Sequence, residues 1–337
     1  MKRIILVFTL VVIALLMSAT VVFADPVTWH IYPGESIQAA VDNASSGDVI
    51  VVHDGVYYES ILVDGNDLSL VADGYVSLEP TLCTSHDDVI TIYNAVVTVE
   101  GFDIDASSCM SGIYARGCSW LGEGNVAVHI KNNHVEGYLK NGITVNCDLA
   151  TGEVRNNSVI GSGDDPIYAQ NGIQFGYGAS GVVMDNTVDL NWYAGEDWTA
   201  SGILVFEAND VMVQKNTIEN SQSGIAVESW CWYEPTASYN KIVANTIKNA
   251  KWGISVSAYS WEPYSQCPPS ADNNKVVKNV ITSEDGDVGV SIGAYLVAGS
   301  YEPSADNNKV TRNLITGFDS DIDDTGSSTK VHANIPY

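Results

Sequence analysis

Basic side chains are scarce in this sequence. Its 337 residues include 15 Lys and Arg against 41 Asp and Glu, a formal net charge of −26, and after Lys2 and Arg3 the cations occur singly. Affinity for a phosphate backbone comes from grouped Lys and Arg, so neither a nucleic acid nor an anionic membrane is the expected partner. Beyond the leader, arginine is confined to Arg116, Arg155 and Arg312. The histidines lack ligand spacing and no Cys-x-x-Cys occurs, which leaves a zinc site without donors. Phosphate-cradling Gly-rich loops, Gly-x-Ser-x-Gly and His-Glu-x-x-His are all missing, so nucleotide-dependent, serine-hydrolase and zincin chemistries drop out. Disorder is excluded by composition, since 45% of residues are hydrophobic and only 17% charged.

Long apolar runs are confined to the start. Lys2 and Arg3, the apolar stretch 4–17 and the small-residue exit at Ala24 read as an export signal. Cleavage there leaves 313 residues and, with two cations gone, a net charge of −28. The alternative is an uncleaved anchor, because 4–24 is long enough to span a bilayer. The expected division is a signal peptide over 1–24 and one domain over 25–337, the protein being secreted, periplasmic or held at the cell surface, and monomeric.

The remainder is a repeat. An Asn followed two positions later by an aliphatic residue recurs at Asn133, Asn157, Asn186, Asn216, Asn245, Asn279 and Asn313, at intervals of 24 to 34 residues. A Gly preceding alternating aliphatics follows in phase at Gly142, Gly172, Gly202, Gly224, Gly253 and Gly289. Each unit holds two or three short period-2 strands and no helical stretch able to cross a sheet. Strands of three to five residues bury an inward face only by stacking on the next unit, about 4.8 Å away. The Asn is expected in the left-handed position of a tight turn, its amide paired one coil on. The fold class is therefore all-β, a β-solenoid.

In its repeats, in Ser36–Asp42 followed by Gly47–Val52, and in Gly55-Val56-Tyr57-Tyr58-Glu59, the chain resembles the pectin-lyase-like superfamily of parallel β-helices, which includes NosD-like proteins. The resemblance implies a single-stranded right-handed parallel β-helix with an N-terminal capping helix, Ile37, Ala40, Val41 and Ala44 lying on the covering face of that helix. Residues 318–334 are expected to form a last, frayed coil. It also implies that ligands occupy a groove outside the strands opened by the Gly residues. The superfamily spans lyases, hydrolases, epimerases and non-catalytic proteins, so it fixes fold more than function.

Six cysteines in an exported chain favour disulfides. Bridged Cα atoms lie within about 7 Å, and equivalent positions on adjacent coils meet that limit. The expected pairs are Cys83–Cys109, Cys118–Cys147 and Cys231–Cys267.

Alternation places Tyr114, Arg116, Thr144, Asn146, Gln174, Phe206, Ala226 and Glu228 outward along the groove. The long connections 161–171 and 191–201 enter it, carrying Asp164-Asp165 and Trp192, Tyr193 and Trp198. Paired carboxylates near an Arg suit glycoside hydrolysis or a Ca²⁺-assisted proton abstraction. Asp164, Asp165 and Arg116 are thus the candidate catalytic residues, with solvated loop carboxylates as the plainer reading. The polygalacturonase-like His-Gly and Arg-Ile-Lys signatures and the lyase-like Arg motif are absent. Asn146, Gln174, Glu228, Trp192, Tyr193, Trp198 and Trp230 are candidate substrate contacts, since loop aromatics either stack on sugars or pack on one another. Asp272 and Asp306, in copies of Ser-Ala-Asp-Asn-Asn-Lys, fit a shared Ca²⁺ or, more simply, a side-chain-bonded turn. The expected partner is an extracellular polysaccharide, bound or processed, with Ca²⁺ the one cofactor suggested. The alternatives are a non-catalytic envelope or adhesion protein and, on fold analogy alone, a NosD-like accessory role.

Overall fold

The computed structural model describes residues 25–83, 87–262, 265–298 and 300–336; the export signal lies outside them. Among the described residues, 29 strands join in parallel into one continuous assembly, and no helix is long and apolar enough to cross a membrane. The chain winds as a β-helix with three ladders. One coil shows the plan: Ala150–Arg155 belongs to the first ladder, Ser158–Asp165 to the second and Asn171–Gly176 to the third. Ser180–Met184 then starts the next coil above Ala150–Arg155.

The aliphatic residues of each period-2 strand face inward and stack on their equivalents. On the third ladder Ile143, Ile173, Ile203, Ile225, Ile254 and Val290 are direct partners from rung to rung, and all are buried. Each such side chain contributes roughly 1.5–3 kcal/mol by leaving water. The Gly marks precede these residues for steric reasons. A Cβ on Gly172 would collide with the Val188 side chain and the Gly202 carbonyl, and one on Gly142 with Val159 and the Gly172 carbonyl.

The Asn marks form the expected ladder at the corner between the first and second ladders. Asn157 Nδ2 donates to Asn186 Oδ1 at 3.0 Å, Asn186 to Asn216 at 2.9 Å and Asn216 to Asn245 at 3.0 Å. The series runs on through Asn279 and Asn313 to Asn334, so the C-terminal segment does form a further coil. One detail differs from expectation. The left-handed residue is the one before each ladder Asn: Asn156 (φ 54°), Asp185 (57°), Lys215 (56°), Lys278 (62°) and Arg312 (61°). That residue turns the corner in solvent, and the Asn behind it directs its amide along the helix axis. A second ladder, which the spacing did not suggest, links Asn240, Asn274 and Asn308.

The N-terminal end is covered by the short helix Ile37–Asn43, which buries Ile37, Ala40 and Val41. Ser36 caps it by accepting from the Ala39 N–H, and the Glu59 carboxylate of the next coil accepts from the Ile37 and Gln38 N–H groups. The three disulfides form as expected, with Cα separations of 5.4 Å for Cys83–Cys109, 4.9 Å for Cys118–Cys147 and 5.7 Å for Cys231–Cys267.

Candidate functional site

Outward residues of the third ladder are expected to be wet, yet Thr144, Asn146, Gln174 and Ala226 are all buried. Loops roof this face. The connections carrying Asp164 and Trp192 extend the second ladder, with Gly163 opposite Asn191, Asp164 opposite Trp192 and Asp165 opposite Tyr193. Tyr193 then packs with Ala169 and Ala200 in a small core of its own. On the other side, the 230–235 loop is held by Glu207, a wholly buried residue. Its carboxylate accepts from the N–H groups of Trp232 (2.6 Å), Tyr233 (3.0 Å) and Glu234 (3.1 Å). Burial pushes that carboxyl above the usual range, against the pull of these donors. The Cys231–Cys267 bridge ties the same loop one coil further along.

Between the roofing loops lies a cavity of about 530 Å³. Its floor is an amide chain. Asn171 Nδ2 donates to Asn141 Oδ1 and to Gln174 Oε1, and Gln174 Nε2 donates to Asn146 Oδ1, each at 3.2 Å. The Asn171 side-chain oxygen is buried without a protein donor. The walls are aromatic: Trp198, Trp230 and Trp232 surround the opening, and Tyr177, Phe206 and Tyr259 complete the lining. The rings also pack on one another, Trp230 on Tyr259 at 4.9 Å and Phe206 on Trp232 at 5.4 Å, while Trp198 remains 45% exposed. The mutual packing expected of the loop aromatics is therefore present.

Three charged residues line this space, Lys140, Asp197 and Glu228. Burial raises the Glu228 carboxyl above its ordinary range, with a weaker opposing contribution from Trp230 Nε1, which donates to it at 3.3 Å. Burial lowers Lys140 to about 8, and its ammonium donates to the Ala169 carbonyl. An uncharged carboxylic acid can protonate a leaving oxygen, and an amine of this kind can take a proton at mildly alkaline pH.

Of the residues expected from sequence, Gln174, Glu228, Trp198 and Trp230 line the cavity, and Asn146 supports Gln174 from beneath. Asp164, Asp165 and Arg116 are not among its lining residues. Asp165 instead caps a turn, accepting from the Ile167 and Tyr168 N–H groups at 2.6 and 2.7 Å. Asp164 is exposed on the strand extension. Arg116 is committed to Glu123 through Nε and Nη2, with its guanidinium 4.8 Å from the centre of the Tyr93 ring. Trp192 lines a separate hollow with Lys251 and Glu284, and Tyr193 belongs to the small core. Lys140, Asn171, Tyr177 and Asp197 line the cavity without having been expected as site residues, whereas Trp232 and Tyr259 belong to the loop aromatics that the sequence marks for stacking or packing. The first two sit at fixed offsets before the Gly marks, and phase alone would have found them.

The two carboxylates offered for a shared Ca²⁺, Asp272 and Asp306, are engaged by protein donors. Asp272 accepts from the Asp306 N–H and the Ser304 hydroxyl, and Asp306 from the Ser327 N–H and hydroxyl, as the turn reading expects. Among the described residues no group of three or more His, Cys, Asp or Glu is placed to hold a metal.

These features define a parallel β-helix protein with a roofed aromatic cavity on one ladder. Residues 88–310 match the family described as right handed beta helix region, and the chain belongs to that family. Solved structures agree in fold. XylC in complex with xylose shares 12% identity at a TM-score of 0.57, over 88% of this chain and 69% of that one. The polygalacturonase from Erwinia carotovora ssp. carotovora shares 10% at 0.56, over 95% and 99%. Pectate lyase Pel9A shares 11% at 0.53, over 93% and 80%. No curated protein matches the chain in sequence.

Proposed function

We propose that this is an exported β-helix protein that takes an extracellular polysaccharide into the third-ladder cavity and cleaves it as a glycoside hydrolase. Glu228 is the proton donor and Asp197 the second carboxylate. The observation that carries the reading is a carboxyl with a raised pKa set in an aromatic, amide-floored cavity of sugar-binding character. Trp198 and Trp230 would stack on pyranose faces, Gln174 would take hydroxyls, and Lys140 would sit beside the chain. The polysaccharide-related names among the structural neighbours support the substrate class. Three disulfides suit an oxidising compartment, and the single domain over 25–337 follows the continuous stacking of coils.

The experiment is a polysaccharide panel assayed for new reducing ends and, separately, for unsaturated products. Wild type should release reducing ends from a neutral glycan. Glu228→Gln should lose about 10²–10⁴-fold of that rate, and the alkaline limb of the pH profile should vanish with it. Unsaturated products would reassign Lys140 as base and the protein as a lyase.

A second reading, a non-catalytic glycan-binding platform, is favoured by the way the cavity rings pack on one another. Retention on a glycan without any product would establish it.

A further inference from the structure

Another face of the coil carries an unexpected arrangement of charge. On the first ladder Lys241 lies directly opposite Lys275, Lys275 opposite Lys309, and Lys309 opposite Lys330. These residues are 21 to 34 positions apart in sequence, which is why the chain reads as lacking a basic cluster. Stacked on consecutive rungs, they form a straight row with a spacing of about 4.8 Å. Together with Tyr239 and Asp210 they line a shallow hollow of about 450 Å³. A second, broken row of exposed cations, Lys215, Lys278 and Arg312, occupies the left-handed corner at the far end of the same strands.

Stacking like charges opposite one another costs stability, and where two other cations stack, Arg155 opposite Lys131, each is bonded to a carboxylate. Lys131 lies opposite Glu100 and bonds to it at 2.9 Å, and Lys248 lies opposite Glu219 at 2.7 Å. In a chain with 41 acidic residues, four lysines on successive rungs are unlike these balanced pairs. Among the described residues none of the four lysines enters an ion pair. The neighbouring Asp272 and Asp306 carboxylates are engaged by Ser304, Ser327 and backbone N–H groups.

We infer that this row is a binding site for a linear acidic glycan lying along the solenoid axis. Successive sugars of an extended chain turn relative to one another, so carboxylates on one side recur at about two β-rungs, and a rigid row of lysines meets them at little ordering cost. A single-stranded nucleic acid fits less well, because base stacking platforms are wanting: Tyr239 is the one aromatic residue lining the hollow. The site is independent of the third-ladder cavity, and it answers the repulsion that a net charge of −26 would otherwise exert on an acidic polymer.

The test is native electrophoresis of the full protein through gels containing polygalacturonate or its full methyl ester, each mobility referred to a polymer-free gel. Wild type should be retarded by polygalacturonate alone, less so as salt rises. Lys275→Glu with Lys309→Glu should weaken that retardation at least about tenfold, while Glu228→Gln and Lys131→Glu should leave it intact. Because the double variant relieves stacked like charges, its melting temperature should not fall, which separates lost binding from lost folding. Equal retardation by the methyl ester, persistence in the double variant, or equally tight binding of an oligodeoxythymidylate would each overturn the inference. Loss in Glu228→Gln alone would place the acidic polymer in the cavity and overturn it too.

Discussion

Outward side chains of the third ladder sit beneath loops, whereas those of the first ladder's C-terminal rungs stand in solvent. Both faces come from the same repeat. They differ in what joins the strands: the first and second ladders meet at a tight corner closed by Asn133 to Asn334, while the third ladder is flanked by connections long enough to fold over it. One face therefore acquires low dielectric, aromatic walls and a carboxyl displaced from its usual pKa. The other carries a row of lysines, exposed at Lys241, Lys275 and Lys330 and half-buried at Lys309. On a solenoid, chemistry is assigned to columns, and the loops decide which columns are dry.

The hardest test of this separation is to break what both faces share. Asn216 accepts from the Asn186 N–H and side chain and donates to Val183 and Asn245. Asn216→Ala should cost about 1–3 kcal/mol for each buried group left unpaired, lowering the melting temperature and abolishing ligand binding at both faces together. A narrower cut is Cys231→Ser with Cys267→Ser. Loss of this bridge should cost about 2–4 kcal/mol and impair the cavity while polygalacturonate retardation persists. Retained cavity function would show that Glu207 alone holds the loop.

Smaller effects come from protonation. A buried acid whose folded pKa exceeds its unfolded value binds its proton more tightly when folded, so its favourable contribution holds at low pH and is lost as pH rises through the folded pKa. Glu228→Gln should therefore raise the melting temperature at neutral pH, with the gain fading as pH falls into the ordinary carboxylate range. Asp88, pushed up to about 6 chiefly by burial on the third ladder, should make stability decline between about pH 4 and pH 6. Asp88→Asn should flatten that decline while leaving the lysine row unaffected.

The two faces were unequally legible. Period and phase exposed the Asn and Gly columns, the inward aliphatics and the disulfide pairs, because each depends only on which residues fall on equivalent rungs. The same phase placed Gln174, Phe206 and Glu228 on the groove. It failed at Asp164-Asp165, since strand pairing continues past Gly163 and converts an apparent loop into an extension of the second ladder. Arg116 was misjudged because its partner Glu123 comes from an irregular segment with no repeat to predict it. The lysine row was missed for the opposite reason: reading along the chain counts neighbours in sequence, and these cations are neighbours only in register. A column-wise reading of the Asn-phased alignment would have shown Lys241, Lys275, Lys309 and Lys330 together.

Hydrogen–deuterium exchange during titration with neutral xylo- and gluco-oligosaccharides bears most directly on the division of labour between faces. Protection should appear around Phe206–Glu207 and the 228–235 loop, with none over Lys241–Val243, Lys275–Val277 or Lys309–Thr311. Protection confined to those lysine strands, or none in the cavity at saturating sugar, would contradict it.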